Sequence, residues 1–467
     1  MASAWDTWSD KELRDRQDAL LRAQVADAVA PFGPFWRERF RALGISPSSV
    51  KSVAGLSRLP AVGERDISPD GDPAAMAALV LQPSETGYAV HATGPAVRRA
   101  LARRLVSTQA YRQVVETDTR PTSYLTTGLG FRWPLASTRG DLDVVARTGR
   151  RLWDVLGLTA DDVLVSAVPV TRSAEHLGLE YAALAAGAPA YFPGPDARDV
   201  AAALRVMPAT ALAAPADAAA DLVDDLATLG ADLSGVRRLL LVGAPSAAER
   251  RAAAGALSGM AATGAVVLAV HAPSGARVLW GECAPGSGLH TYPDVDLVEV
   301  VDPETAEAYA GSGPGELVLT QLGMRGSALL RWRTGDVLPG PLESGSCPSC
   351  GRRVPRVPST LARGGLVQRL PDLRRPLDLR TLAGALVGSA DVADWRVVVH
   401  PRFRDHRPQV VVHLQTAADP ADVAVAVAAD VRAGAGVLPS QLVVVAADEP
   451  LPVVVPTQGP RMGAPVS

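Results

Sequence analysis

Apolar positions through the middle of the chain follow two alternating periods, one typical of helices and the other of buried strands. Between residues 142 and 340, stretches with apolar side chains at helical spacing alternate with short, continuous apolar runs. The predicted helices cover residues 142–156, 177–186 and 200–207, and the predicted strands cover residues 163–168, 239–242 and 265–270. This alternation predicts an α/β protein whose mostly parallel sheet carries helices on both faces.

The segment after residues 239–242 predicts a turn and then a helix. Gly243-Ala244-Pro245 follows the strand, and Ser246 with Glu249 has the spacing of a capping box, in which each side chain bonds the backbone of the other. Two more strand-like runs, at residues 297–301 and 316–320, have no helical segment between them. They predict a β-rich addition to the main sheet.

The pattern breaks near residue 360, which predicts two domains, residues 1–360 and residues 361–467. In the second, strands are predicted at 395–400, 410–414 and 442–446 and a helix at 421–433, giving a small α+β unit. The Pro- and Gly-rich tail at 456–467 is predicted to lack regular structure.

The first 45 residues predict helices that pack on the large domain. Residues 10–30 alternate charged residues with Leu and Ala at helical spacing. The aromatic side chains of Phe32, Phe35, Trp36 and Phe40 follow, and the pairs 32/36 and 36/40 are neighbours on a helix. A face buried on the main body is the favoured interpretation of this stripe, and a stacking site for a cofactor is the alternative.

Composition excludes some classes of partner and one kind of catalyst. The 467 residues carry a net charge of −3 with a pI near 6.2, so no basic surface for nucleic acid or an anionic membrane is expected. Residues 1–18 show no export signal and no run suits a membrane span, so a cytoplasmic protein with reduced thiols is expected. Lysine occurs only at Lys11 and Lys51. Any step that needs a lysine beyond position 51 therefore has none.

All three cysteines belong to one set with metal-ligand spacing. Cys347 and Cys350 form a C-x2-C knuckle followed by Gly351, and His290 stands seven positions after Cys283. Three thiolates and one imidazole fill a tetrahedral shell of the kind that structural zinc uses, with no position left open for substrate. The alternatives are unrelated buried thiols with a core histidine, and a redox-active C-x-x-C.

Residues 279–360 carry motifs of a known enzyme family. The segments are Glu282-Cys283, Gly288-Leu289-His290, Val301-Asp302-Pro303-Glu304-Thr305, G-P-G-E-L-V-L-T at 313–320, L-R-W-R-T-G-D at 330–336 and C-P-S-C-G-R at 347–352. They resemble the E-C…G-L-H…(I/V)-D-P-x-T, G-E-x-G-E-L-V-x-T, I-R-Y-R-T-G-D and C-x2-C-G-R elements of phenylacetate–CoA ligases, members of the adenylate-forming superfamily. Weaker similarity covers residues 35–45.

The resemblance implies a large N-terminal body, a small C-terminal lid and a two-step reaction. A carboxylate would attack the α-phosphate of ATP with Mg²⁺, and coenzyme A would then displace AMP to give a thioester. By position, Asp336 matches the acid that binds the ribose hydroxyls, although it could simply cap a turn. Gly243 and Ala244 match the loop beside the adenine, or form only a strand-to-helix turn. Arg363 falls near the ribose in the family, or is an exposed arginine.

Several catalytic positions of the family are substituted. The phosphate loop S-S-G-T-T-G-K-P corresponds to residues 123–130, where Thr126, Thr127 and Gly128 keep the T-T-G core but no lysine follows. Arg132 could supply that charge. The Y-G-x-(S/T)-E motif corresponds to V-H-A-P-S at 270–274, without the magnesium glutamate. The late lysine of the lid is also missing, and Arg461 is the nearest cation.

Three functions therefore remain open from the sequence. The first is an acyl- or aryl-CoA ligase that uses ATP, Mg²⁺ and coenzyme A, with adenylation impaired. The second is a catalytically silent relative that binds a ligand or a partner protein, because a fold does not fix a function. The third is acyl transfer without ATP from a preformed adenylate or thioester. In each case the expected small molecule is a carboxylic acid or its activated form.

Overall fold

The computed structural model describes residues 4–69, 72–83, 119–128, 132–302, 315–359, 409–435 and 441–446, with shorter described stretches at 102, 105–109, 117, 305–307, 309, 361, 367–368, 377–378, 394–400 and 461–463. The chain divides into two compact units, Met1–Leu361 and Ala362–Ser467. The role of the second unit as a lid stays a prediction.

The described helices fall into an N-terminal group, a central group and one helix of the second unit. The first group is α1 Asp10–Gln24, α2 Ala30–Phe32, α3 Pro34–Ala42, α4 Val53–Leu56 and α5 Glu64–Ile67, with short 3-10 or π turns at Ala4–Asp6, Val25–Val29, Pro47–Ser49 and Pro73–Leu79. The others are α6 Arg139–Val155, α7 Ala174–Ala186, α8 Ala197–Val206, α9 Ala219–Thr228, α10 Ala247–Leu257 and α11 Pro420–Ala435. Among the described residues, no helix combines the length and the apolar character needed to cross a bilayer.

The described strands form five sheets. In chain order they are β1 Pro121–Thr127, β2 Trp133–Thr138, β3 Leu164–Ser166, β4 Ala190–Tyr191, β5 Ala211–Pro215, β6 Arg238–Val242, β7 Val266–His271, β8 Trp280–Gly281, β9 Leu289–His290, β10 Asp296–Val301, β11 Gly315–Gln321, β12 Trp332–Leu338, β13 Arg356–Val357, β14 Val367–Gln368, β15 Leu377–Asp378, β16 Asp394–His400, β17 Gln409–Thr416, β18 Gln441–Ala446 and β19 Arg461–Gly463.

An eight-stranded sheet is the centre of the first unit. Its order is β13-β9-β8-β7-β6-β5-β3-β4, and the five strands from β7 to β4 run parallel, while β8, β9 and β13 pair antiparallel. Strands β3, β5, β6 and β7 are almost wholly apolar and buried, as expected where helices cover both faces. The predicted α/β class is confirmed.

Two local predictions around the central sheet are also confirmed. Ser246 is the N-cap of α10, and its hydroxyl accepts the N–H of Glu249 at 3.2 Å while the Glu249 carboxylate accepts the N–H of Ser246. The β-rich addition is the antiparallel sheet β10-β11-β12. Because β12 carries Asp336, this second sheet supplies one wall of the site described below.

The N-terminal helices pack on the first unit through both apolar and polar contacts. Phe32, Trp36 and Phe40 are buried, so the aromatic stripe is a packing face as expected. Trp36 Nε1 donates to the carbonyl of Ala328 at 2.8 Å, and Gln24 Nε2 donates to the carbonyls of Gln321 and Met324 at 2.8 and 2.6 Å. These bonds satisfy carbonyls that the helices would otherwise bury without partners.

The second unit contains a four-stranded sheet of order β18-β17-β16-β19, with α11 between β17 and β18. The predicted strands and helix correspond to β16, β17, α11 and β18. The prediction that residues 456–467 lack regular structure was wrong for Arg461–Gly463, which pair antiparallel with β16 opposite Arg396, Val397 and Val398. Local composition does not reveal this strand because its partner lies about 60 residues earlier in the chain.

Limited proteolysis tests the boundary between the two units. We expect the first cuts at residues 361–371, since the division of contacts falls between Leu361 and Ala362 and linkers between compact units are the preferred sites of nicking. Mass spectrometry of early fragments gives the positions. A single resistant core without cleavage in this segment contradicts a hinged arrangement.

Candidate metal centre and carboxyl-edge site

Four metal-ligating side chains converge beside the antiparallel end of the central sheet. The donor atoms of Cys283, His290, Cys347 and Cys350 all lie within 4.8 Å of one another. Cys283 Sγ is 3.6 Å from Cys347 Sγ, and Cys350 Sγ is 3.3 Å from His290 Nε2. Two thiolates on one tetrahedral zinc are separated by about 3.8 Å, so the four residues fit such a metal.

Two separate pieces of chain bring these ligands together. Cys283 follows β8 and His290 lies in β9, which pairs with β13 through His290 and Arg356. Within the knuckle, the N–H of Gly351 donates to the carbonyl of Cys347 at 2.8 Å, closing the turn that carries both thiols. Gly351 has φ +75°, a left-handed conformation that glycine adopts at little cost.

Electrostatics favours metal binding by the imidazole and by one thiol. Burial, together with the guanidinium groups of Arg352 and Arg356, lowers the pKa of His290 to about 4. The ring is therefore neutral near pH 7, as a metal ligand must be. Burial raises the pKa of Cys283 to about 12. Burial alone would raise the pKa of the Cys347 thiol. Hydrogen bonds from the backbone N–H groups of Cys350 and Ser349, together with the neighbouring thiols, lower its pKa overall.

A buried ion pair connects the loop after β8, which carries Cys283, to the central sheet. Glu282, which is fully buried, accepts two bonds from the guanidinium of Arg250 at 2.8 and 3.2 Å. Its carboxylate also accepts the N–H groups of Ala269 in β7 and of Gly286 in the loop. Sequence reasoning noted Glu282 as part of a motif but missed Arg250, which lies 32 positions away in α10.

The carboxyl ends of β6 and β7 meet β12 at a second cluster of polar groups, which we name the carboxyl-edge site: Thr127, Gly243, His271, Gly275 and Asp336. Asp336 Oδ2 lies 2.8 Å from His271 Nε2, and their side chains are 2% and 1% exposed. His271 Nδ1 is buried and has no hydrogen-bond partner among the described residues. In open α/β sheets, ligands bind at this edge.

The residues predicted for the phosphate loop adjoin this site. Thr126 and Thr127 end β1 and Gly128 follows it, and Thr127 Oγ1 accepts the N–H of Gly275 at 3.0 Å. Thr126 is exposed, and its N–H donates to the carbonyl of Arg172. The T-T-G core is therefore bonded to the residue that directly follows 270–274, the counterpart of Y-G-x-(S/T)-E.

Arg172 is a cation at this loop that sequence reasoning missed. Its Nε donates to the carbonyl of Tyr124 at 2.6 Å, and its Nη2 donates to Ser123 Oγ at 2.7 Å. The predicted substitute for the missing lysine, Arg132, is exposed beyond the loop. No local signal separates these two arginines, because Arg172 is 48 positions from Tyr124 in sequence.

The remaining predicted site residues are those of the adenine loop and two arginines. The N–H of Gly243 donates to the carbonyl of Val270 at 2.8 Å, and Ala244 is buried, so this loop lies beside the end of β7. Arg363 falls outside the described residues. Arg461 lies in β19 opposite Val398, and its proposed approach to a phosphate stays a prediction.

Gly275 is the tightest position of the carboxyl-edge site. It has φ +83°, and a Cβ there would lie 2.7 Å from Trp332 Nε1 and 2.8 Å from Leu329 Cδ1. The indole of Trp332 packs edge-on to Trp133 with ring centroids 5.6 Å apart. A side chain at position 275 therefore meets a packed aromatic wall, and the main chain there is close enough to bond Thr127.

We expect Gly275→Ala to be markedly more destabilising than Gly264→Ala. Gly264 has φ +81° but open space around its Cβ position, so its variant measures the backbone cost alone. The additional overpacking at Gly275 should lower the free energy of unfolding by about 1–3 kcal/mol beyond that control. Denaturant unfolding of both variants gives the difference. Equal losses would show that the wall of Trp332 and Leu329 yields freely.

The fold of this chain is one that solved CoA ligases share. No protein-family model and no curated protein matches the chain, but solved structures do. A 2-hydroxyisobutyryl-CoA ligase in the postadenylation state, in complex with R3-HIB-AMP, has a TM-score of 0.65 at 17% identity, covering 98% of this chain and 90% of its own. The same ligase with 2-HIB-AMP and CoA in the thioesterification state gives 0.60 at 18%, covering 97% and 89%.

Another solved structure matches over a shorter span. An ATP-bound RpMatB-BxBclM chimera has a TM-score of 0.50 at 16% identity, covering 73% of this chain and 66% of its own. At these identities the likeness establishes the fold, and the predicted ligase architecture is confirmed at that level.

Proposed function

We propose that this protein is a relative of acyl- and aryl-CoA ligases in which carboxylate adenylation is impaired. Its ligand would be a small carboxylic acid, or the adenylate or thioester of such an acid. ATP, Mg²⁺ and coenzyme A would take part only as far as the ligase reaction is retained. The metal centre would hold one zinc ion through Cys283, His290, Cys347 and Cys350, and its role would be structural because four protein ligands complete a tetrahedron.

The observation that carries this proposal is the pair of His271 and Asp336. By resemblance, Asp336 is the carboxylate that would accept the ribose hydroxyls of a nucleotide, yet an imidazole bonds it at 2.8 Å. Ser274, whose hydroxyl is buried without a described partner, stands where the family motif has the magnesium glutamate. A hydroxyl is a much weaker ligand for Mg²⁺ than a carboxylate.

The charge available for phosphate supports the same conclusion. The last lysine in the chain is Lys51, and among the described residues the cation that bonds residues 123–124 is Arg172. Arg172 reaches this stretch but uses its Nε and Nη2 on the backbone of Tyr124 and the hydroxyl of Ser123. Arginine binds phosphate well as a planar fork, but it does not replace the compact ammonium of a lysine at a site shaped for one.

A second candidate, a catalytically silent ligand-binding relative, is favoured by the burial of the His271–Asp336 pair.

Three measurements separate the functions: acid-dependent exchange of pyrophosphate into ATP, transfer of an acyl group from a thioester without ATP, and equilibrium binding of carboxylic acids. Slow exchange with measurable acid binding supports the first proposal. Binding with neither reaction supports the silent relative, and rapid exchange contradicts both.

A further inference from the structure

We infer that His271 occupies the place of a ribose diol, so that the carboxyl-edge site excludes nucleotides, including the acyl-adenylate among the proposed ligands, and accepts the free acid or its thioester. This rests on the proposed function, and it names the residue that decides which ligand class enters. A carboxylate can accept both hydroxyls of a vicinal diol, and bonds to a charged acceptor are the strong ones. Here the imidazole of His271 takes up that capacity at 2.8 Å.

Burial closes this pair to solvent. The side chains of His271 and Asp336 are 1% and 2% exposed, so a diol could bond Asp336 Oδ2 only after the imidazole had moved away. Separating the two side chains while both stay buried carries a desolvation cost. A nucleotide that displaced the imidazole would bind with a less favourable free energy by the amount of that cost, so its apparent affinity would be lower.

The position of His271 in the chain explains why the pair can form. His271 ends β7 of the central sheet, and Asp336 lies in β12 of the antiparallel sheet. In the correspondence of residues 270–274 with Y-G-x-(S/T)-E, His271 stands at the glycine. Where the family motif has a glycine, this chain has the imidazole of His271, and that ring lies within hydrogen-bond distance of the Asp336 carboxylate. Thr127 and Gly275 bond each other on the other side of the same loop.

The test compares AMP with 2′,3′-dideoxy-AMP on the full chain, by equilibrium titration. Wild-type protein should bind both weakly and with similar affinity. His271→Gly should bind AMP at least tenfold more tightly, which corresponds to about 1.4 kcal/mol, and should leave the dideoxy analogue unchanged. His271→Ala serves as a second opened variant, with melting curves to verify folding. His176→Ala is the matched control, because His176 is also buried with an unpartnered Nδ1, and it should leave AMP binding unchanged.

Several results would overturn the inference. One is a folded His271→Gly or His271→Ala variant with no gain for AMP, and another is an equal gain for both nucleotides, which would mean only that a cavity had opened. A tenfold preference of the wild-type protein for AMP over its dideoxy analogue would also overturn the inference, and this result needs no variant. Failure here is distinct from failure of the proposed function, which depends on pyrophosphate exchange in the wild-type protein.

Discussion

Acid-dependent exchange of pyrophosphate into ATP should be absent or slower than about 0.1 per second with any carboxylic acid. Three charge-handling groups of the ligase family are altered together: the phosphate-loop lysine, the magnesium glutamate and the late lysine of the lid. Each acts on charge that develops in the transition state, and loss of one such group commonly slows a reaction about 10²–10³-fold. Such losses are not additive, so a single uncompensated one already places a typical turnover of about 10 per second in this range.

The exchange assay needs a panel of aromatic and aliphatic acids, since the acid is not fixed by the motifs. Compensation is possible only through arginines, and Arg132, Arg172 and Arg461 are the candidates. Their replacement by alanine, one at a time, shows whether any residual rate depends on them. Turnover above about 1 per second with any acid would mean that arginines have restored the adenylation step.

Removal of the metal should be the largest single loss of stability in the first unit. Purified protein should contain about one zinc per chain, and Cys347→Ser should remove it. A site loaded at 1,000 times its Kd stabilises the folded state by about 4 kcal/mol, which is lost with the ion. Elemental analysis and denaturant unfolding, with and without a chelator, measure both quantities.

The matched control for this experiment lies inside the same knuckle. Ser349 is exposed and contributes its backbone N–H to the environment of Cys347, which an alanine retains. Ser349→Ala should therefore keep the metal and the stability of the wild-type protein. Metal-free protein that is as stable as the zinc-loaded form, or equal losses in the two variants, would contradict a structural zinc centre.

Much of the first unit could be predicted because its strongest elements carry local signals. The apolar runs that became β6 and β7 and the capping box at Ser246 depend on neighbours within a few residues. Strand β5, A-L-A-A-P, was missed because alanine has little preference for strands, and its place between β3 and β6 comes from tertiary packing. Strand β19 was missed for the same reason.

The candidate sites likewise contain one part that local sequence signals reveal and another part that they do not. The convergence of three cysteines and one histidine could be predicted because cysteines are rare in this chain and the C-x2-C spacing has a geometric meaning. The His271–Asp336 pair could not, since the two residues are 65 positions apart and neither spacing nor composition joins them. The contact of Arg172 with Ser123 is hidden in the same way, at 49 positions. Side-chain pairs between elements depend on the assembled fold.

The bonds that hold the N-terminal helices also set an order of events during synthesis. Trp36 donates to the carbonyl of Ala328, 292 positions later in the chain, and Gln24 bonds carbonyls that are equally late. At about 5–20 residues per second, a ribosome needs roughly 15–60 s to make the partner after it has made the tryptophan. During that interval α3 lacks this late partner, so the nascent chain exposes part of an aromatic face that the finished protein conceals.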